Sequence, residues 1–298
     1  MSLLLTAQGL AILTALAFAS ADAAARSGMR TSTPITVILM LAVVALLVFG
    51  PVALATVRIG ELDARGLLVL FAAGVLAPGL AGTFFYMSVL RIGLSRTSSI
   101  AAASPLVTVL IAVTAVGERP GPLVYMGTLL IVAGVWVLSR ERRSSASGQA
   151  GGKIVWRDFN FAALTTLLFG VSAALRKVGV SLVPALSAGL CASALGTLVV
   201  IALWHPFLPP GERIRLGRQN LGAFVASGAF NSLAYLAFFA ALQRGPVSVV
   251  APLAYMTPLF VLVYSWVLFQ ELERVNARVI VASLLICAGA ALVTLSRG

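Results

Sequence analysis

The sequence predicts an all-α integral membrane protein of ten transmembrane helices, arranged as two inverted five-helix repeats. Three observations carry that expectation. Of the 298 residues, 60% are hydrophobic and 10% charged, where a soluble domain has roughly 45–50% and about 25%. The apolar residues fall into ten runs, each near the roughly 20 residues that a helix needs to cross a bilayer. The two halves of the chain also echo one another, and each holds an odd number of runs.

In order, the runs are Leu3 to Ala25, Pro34 to Val57, Leu67 to Leu90, Ser95 to Val116, Gly121 to Ser139, Phe159 to Val180, Val183 to Trp204, Asn220 to Gln243, Pro246 to Phe269 and Val275 to Ser296. Ten spans leave only short connections and no room for a sizeable soluble domain. The first run lacks the basic flank of a secretory signal, so it reads as a retained helix. Only Arg140 to Arg157, with its SSASGQAGG stretch, has a linker composition. It divides the chain into a first repeat (1–139), a linker (140–158) and a second repeat (159–298).

Shifted by 153 residues, Phe84 to Glu118 lies on Ala237 to Glu271 without a gap. Seven of the 35 pairs are identical, among them Arg91 with Arg244, Ser95 with Ser248, Pro105 with Pro258 and Glu118 with Glu271. A second echo sets Phe18, Arg26 and Gly28 on Phe169, Lys177 and Gly179. After five spans the second copy must enter from the opposite face, so the repeats are antiparallel about an axis in the membrane plane. Inverted repeats of this kind build secondary transporters, with the substrate site near the midplane.

Phe169 and Gly170 followed by the basic Lys177, the mid-span prolines Pro105 and Pro258, and Gly117-Glu118-Arg119 resemble the EamA-type repeat of the drug/metabolite transporter superfamily. The resemblance covers nearly the whole chain. It implies a ten-helix exporter of amino acids, other small metabolites or drugs, with both termini cytoplasmic. Phe18 and Ala19 depart from it, standing where the family often has Trp and Gly.

The net charge is +12, from 21 Lys and Arg against 9 Asp and Glu. No stretch joins a basic face to exposed aromatics, so the excess reads as loop charge meeting anionic lipid rather than nucleic acid. The side bearing the loop between the first two spans carries 14 Lys and Arg, and the side bearing both termini carries 7, with Arg176 and Lys177 counted in the loop after span six. That count puts the termini outside, against the family expectation. Five of the 14 belong to the central linker, so orientation stays open.

Candidate site residues are few. Tyr86, Ser99, Ser104, Asn231, Tyr235, Tyr255 and Thr257 are the polar and aromatic residues suited to a midplane substrate pocket, on spans three, four, eight and nine. Hydrogen bonding between helices accounts for them equally. Pro105 and Pro258 remove a backbone donor at matching depth, as hinges or as packing kinks. Asp22, deep in an apolar run, is the candidate for proton coupling; its other reading is an exposed pair with Arg26 one turn on. Glu118 and Glu271 read as partners of nearby arginines or loop backbone. Gly74, Ala77, Gly79 and Gly82 in span three, with Gly189, Ser193 and Gly196 in span seven, read as close-packing surfaces.

Cys191 and Cys287 read as free, buried thiols, and no metal cluster, cofactor motif or catalytic set is visible. The expectation is a multi-pass inner-membrane transporter, not an enzyme, exporting amino acids or related amphipathic metabolites by alternating access. Its partners are a small-molecule substrate and the lipid bilayer, without nucleic acid or cofactor, and a monomer is compatible with the sequence. The alternatives are a flippase of a lipid-linked substrate or a multidrug exporter.

Overall fold

The computed structural model describes residues 6–28, 32–58, 62–92, 97, 100–141, 159–209, 211–268 and 277–296. Most of the predicted linker lies outside the described residues, as do Ser99 and Glu271. The regular elements described are all helical. They are α1 (Ala7–Gly28), α2 (Pro34–Thr56), α3 (Ala64–Gly74), α4 (Ala81–Ile92), α5 (Ser104–Ile111), α6 (Pro122–Glu141), α7 (Phe159–Leu182), α8 (Leu186–Trp204), α9 (Leu221–Arg244), α10 (Val247–Ala254), α11 (Thr257–Leu268) and α12 (Ala277–Leu295). The turn Val75–Leu80 joins α3 to α4 as one span, and α10 and α11 form another. Seven helices are long and apolar enough to cross a membrane; those at Ser104–Val116, Pro122–Val137 and Ile280–Leu295 are apolar but shorter. Together they fall on the ten runs read from the sequence.

The burial pattern is that of a chain solvated by hydrocarbon. Leu47, Leu54, Leu203 and Phe207 are exposed, whereas Thr14, Thr36, Ser88, Thr108 and Ser172 are buried. Lipid gives no hydrophobic drive for apolar side chains to turn inward, so helices associate through small residues and internal hydrogen bonds. Gly74 and Gly196 show this between span three and α8: a β-carbon on either would overlap backbone of the other helix.

Exchanging the halves maps the packing onto itself. The first span, α1, lies on α9, and its counterpart α7 lies on α3 and α4. The contact of α3 with α8 is matched by that of α9 with α2, and that of α1 with α11 by that of α7 with α5. On the axis, α6 meets its own copy α12, where a β-carbon on Gly127 would stand 2.6 Å from the Gly289 carbonyl and one on Gly289 2.5 Å from the Gly127 carbonyl. Gly134 meets Ala282 in the same way. Numbers rise along α6 as they fall along α12, so the two run antiparallel, as inverted copies must.

Three spans are interrupted. The expected bends at Pro105 and Pro258 are full breaks: Ala102 and Ala103 form a turn before α5, and Tyr255 and Met256 form one between α10 and α11. The paired bonds agree, with Ala103 N to Ile100 O at 3.0 Å against Met256 N to Leu253 O at 3.2 Å. Each proline deprives the carbonyl four residues earlier of its donor. In both copies the residue before the proline supplies a replacement, Ser104 Oγ to Ala101 O at 2.6 Å and Thr257 Oγ1 to Ala254 O at 3.1 Å. The third break has no counterpart. In Val75–Leu80, Ala77 turns to an extended φ of −150° and ψ of 132°, just before Pro78, while the equivalent α9 runs uninterrupted.

Candidate functional site

The break in span three frees carbonyls inside the bundle, where each needs a donor. Pro78 removes the donor of Gly74 O, and Thr197 Oγ1 on α8 replaces it at 3.1 Å. Ser172 Oγ on α7 donates to Ala73 O at 2.8 Å. One turn further along α7, Arg176 Nη2 donates to the carbonyl of Ala77 itself.

Arg176 is the centre of the site, and the sequence reading did not single it out. It is only 4% exposed. Its Nη2 also donates to Ser193 Oγ on α8 at 3.3 Å. The guanidinium carbon lies 4.8 Å from the centre of the Tyr235 ring and 5.9 Å from that of Phe239, within cation–π range. Tyr255, at the break of span nine, is close enough to interact electrostatically with both Arg176 and Tyr235. Phe18 of α1 meets the Tyr235 ring edge-on, centroids 5.1 Å apart. The half-buried phenol ring of Tyr235 therefore covers a buried cation where α1, α7, α8, α9 and the broken span three converge, with Tyr255 at the break of span nine within electrostatic reach.

The count that placed Arg176 in a loop is corrected by the length of α7, which runs on to Leu182. Arg176 stands six residues inside that end, about 9 Å at 1.5 Å per residue. Side chains lean toward the N-terminus of their helix, so this one reaches inward rather than out to the interface. An arginine followed at once by a lysine in an apolar run is the signal that could have found it.

Of the residues predicted from sequence, Tyr235 and Tyr255 come together here. Asn231 is buried one turn before Tyr235 on α9. Ser104 and Thr257 spend their hydroxyl hydrogens on the proline breaks. Tyr86 is carried by α4, and Asp22 is exposed on α1. Cys287 is exposed on α12 rather than buried, because that helix has one face on α6 and another toward lipid; Cys191 is half-buried, and both thiols are free. Among the described residues no three His, Cys, Asp or Glu side chains gather as metal ligands would.

A second polar junction closes the end of the bundle that bears the termini. Gly117 ends its helix in the left-handed conformation, φ +80°, and the amide of Glu118 returns to Ala112 O at 2.9 Å. The turn delivers the Glu118 carboxylate to the first amides of α10. Lys177 Nζ donates to Leu242 O at 2.7 Å and Gly245 O at 2.8 Å, at the end of α9. An anion at a helix start and a cation at a helix end both complement the helix dipole.

Near the same end, a cavity of about 630 Å³ opens between α2, the α7–α8 connection and α9. Its walls are mainly apolar, including Phe49, Val52, Leu62, Val183 and Leu236.

The EamA-like transporter family matches residues 5–140 and 159–295, one copy on each half of the chain. A solved crystal structure, 21% identical in sequence, superposes with a TM-score of 0.78 and covers 97% of this chain and 96% of its own. At that identity the likeness shows the fold. Among curated proteins none matches. Two family copies spanning nearly the whole chain, packed in inverted symmetry, establish that this protein belongs to the EamA-like transporter family and is a multi-pass membrane transporter of small molecules.

Proposed function

We propose that the protein exports small amphipathic metabolites, amino acids or close relatives, across the inner membrane by alternating access. One observation carries this reading: two interrupted spans, one from each repeat, meet at a buried, aromatic-walled site. Interrupted helices beside a binding site are a recurring feature of carriers whose repeats rock against one another. Tyr235, Tyr255 and Asn231 face or flank that site, with Tyr86 on the neighbouring span, and Pro105 and Pro258 serve as the hinges. The two repeats, 1–139 and 159–298, are the moving bodies in this reading, joined by the 140–158 linker.

The test is a counterflow screen of amino acids and cationic drugs on protein reconstituted in liposomes. Exchange of labelled amino acids above that of empty vesicles supports the proposal, and exchange of cationic drugs alone makes the protein a multidrug exporter instead. Asp22 is the proposed proton-coupling group. Asp22→Asn is expected to flatten the pH dependence of flux, and an unchanged dependence removes Asp22 from the mechanism.

The apolar cavity between α2 and α9 favours a second reading, a flippase, because a lipid-linked substrate needs an entrance through the side of the bundle. Movement of a polyprenyl or fluorescent lipid between leaflets, without amino-acid exchange, would decide for it.

A further inference from the structure

Arg176 carries a charge that nothing around it cancels. No Asp or Glu among the described residues forms an ion pair with it; its partners are the Ala77 carbonyl, the Ser193 hydroxyl and the rings of Tyr235 and Phe239. A lone cation at membrane depth is expensive and marks a substrate path by default. Dipoles offset part of that cost. Helix α3 ends beside the guanidinium, and the C-terminal end of a helix carries partial negative charge. Carbonyls and ring faces orient the group without neutralising it.

The hydrogen-bond count points the same way. A guanidinium offers five N–H donors in a rigid fork. Here Nη2 is committed to Ala77 and Ser193, whereas the buried Nε has no acceptor. An unmade bond on a charged, buried group is costly. The side chain is thus held in place from one edge and left one acceptor and one negative charge short.

Building on the carrier reading above, we propose that Arg176 binds the carboxylate of the transported molecule while Tyr235 and Tyr255 contact its apolar body. One guanidinium matches one carboxylate. The neighbouring cation, Lys177, is already spent on the carbonyls of Leu242 and Gly245, so a phosphate dianion would bring surplus charge into the site. Tyr235 roofs the guanidinium, and the carboxylate reaches it as α9 shifts relative to α7. The substrate class is therefore the small monocarboxylates, zwitterionic amino acids included, and amines or amides of the same shape are excluded.

Matched probes test this on the full chain in liposomes: L-phenylalanine against L-phenylalaninamide, and L-leucine against L-leucinamide. The acid of each pair is expected to move at least about tenfold faster than its amide, in line with the strength of a charge-assisted hydrogen bond. Arg176→Gln is expected to remove that preference by slowing the acid about tenfold, and Arg176→Lys to keep part of it. A melting curve in detergent reports whether each variant folds, and if Arg176→Gln does not, the matched pairs on the natural protein decide alone. Equal transport of acid and amide, or a folded Arg176→Gln that carries the acids at an unchanged rate, would overturn the assignment. So would inorganic phosphate competing better than benzoate. Flux of cationic drugs without flux of any acid also sinks it while leaving the carrier intact, whereas a protein that moves no solute at all ends the carrier reading itself.

Discussion

The Glu118 carboxylate accepts the amide hydrogen of Val247 at 2.7 Å, and its second oxygen accepts that of Ser248 at 2.9 Å. One side chain from the end of span four thus closes the start of span nine, its partner across the repeat axis. With Lys177 on the carbonyls of Leu242 and Gly245, the pair pins both sides of the turn between α9 and α10.

Glu118→Gln removes the negative charge and one of the two acceptors. A lost helix cap costs about 0.5–2 kcal/mol, so thermal unfolding in detergent is expected at a lower temperature. Glu118→Ala should cost more than Glu118→Gln, since it removes both acceptors. Equal melting of all three proteins would show that the cap contributes nothing.

Lys177→Met keeps the apolar stem and deletes the three donors, leaving the carbonyls of Leu242 and Gly245 without the donor that Lys177 supplies. Because Glu118 and Lys177 act on one turn, their effects should not add. A double-mutant cycle on unfolding is expected to return a coupling of about 0.5–3 kcal/mol. A coupling of zero would mean that the two junctions stabilise separate units.

The proline breaks give a test of the internal symmetry. Ser104→Ala and Thr257→Ala each strand one part-buried carbonyl, on Ala101 and Ala254, at a cost of up to about 1–3 kcal/mol. The two losses should be similar in size, and Thr257→Ser should behave as the natural protein. A large loss at one site and none at the other would make the matching geometry incidental.

Gly127→Leu and Gly74→Val place side chains where backbone of another helix already stands. Each is expected to reduce stability by about 1–3 kcal/mol or more. Gly50→Ala, with no atom within 4 Å of the added carbon, should be neutral. The three melting temperatures, measured side by side, separate close packing from a general intolerance of glycine replacement.

Much of this architecture was legible in the sequence because the bilayer fixes how long an apolar run must be, and because duplication leaves two copies to compare. Pro105 and Pro258 could be aligned at a single offset, and the turns before them fall at equivalent positions. Pro78 could not be found that way, since its counterpart, shifted by 153, is Asn231 within the uninterrupted α9. A lone proline in an apolar run reads equally well as a mild kink. Arg176 escaped for a geometric reason. Near a span end, a basic residue can snorkel outward or turn inward, and composition does not distinguish the two. The outcome depends on two further turns of helix and on a carbonyl exposed 99 residues earlier in the chain.

Because span three is broken and its copy is whole, swapping the two halves does not return the same molecule. A carrier with identical halves would rest equally often open to either side, by symmetry alone. On the carrier reading proposed above, the break at Ala77 and Pro78 is one structural difference between halves that also differ at many other positions, and it weighs on how the empty protein divides between its two faces.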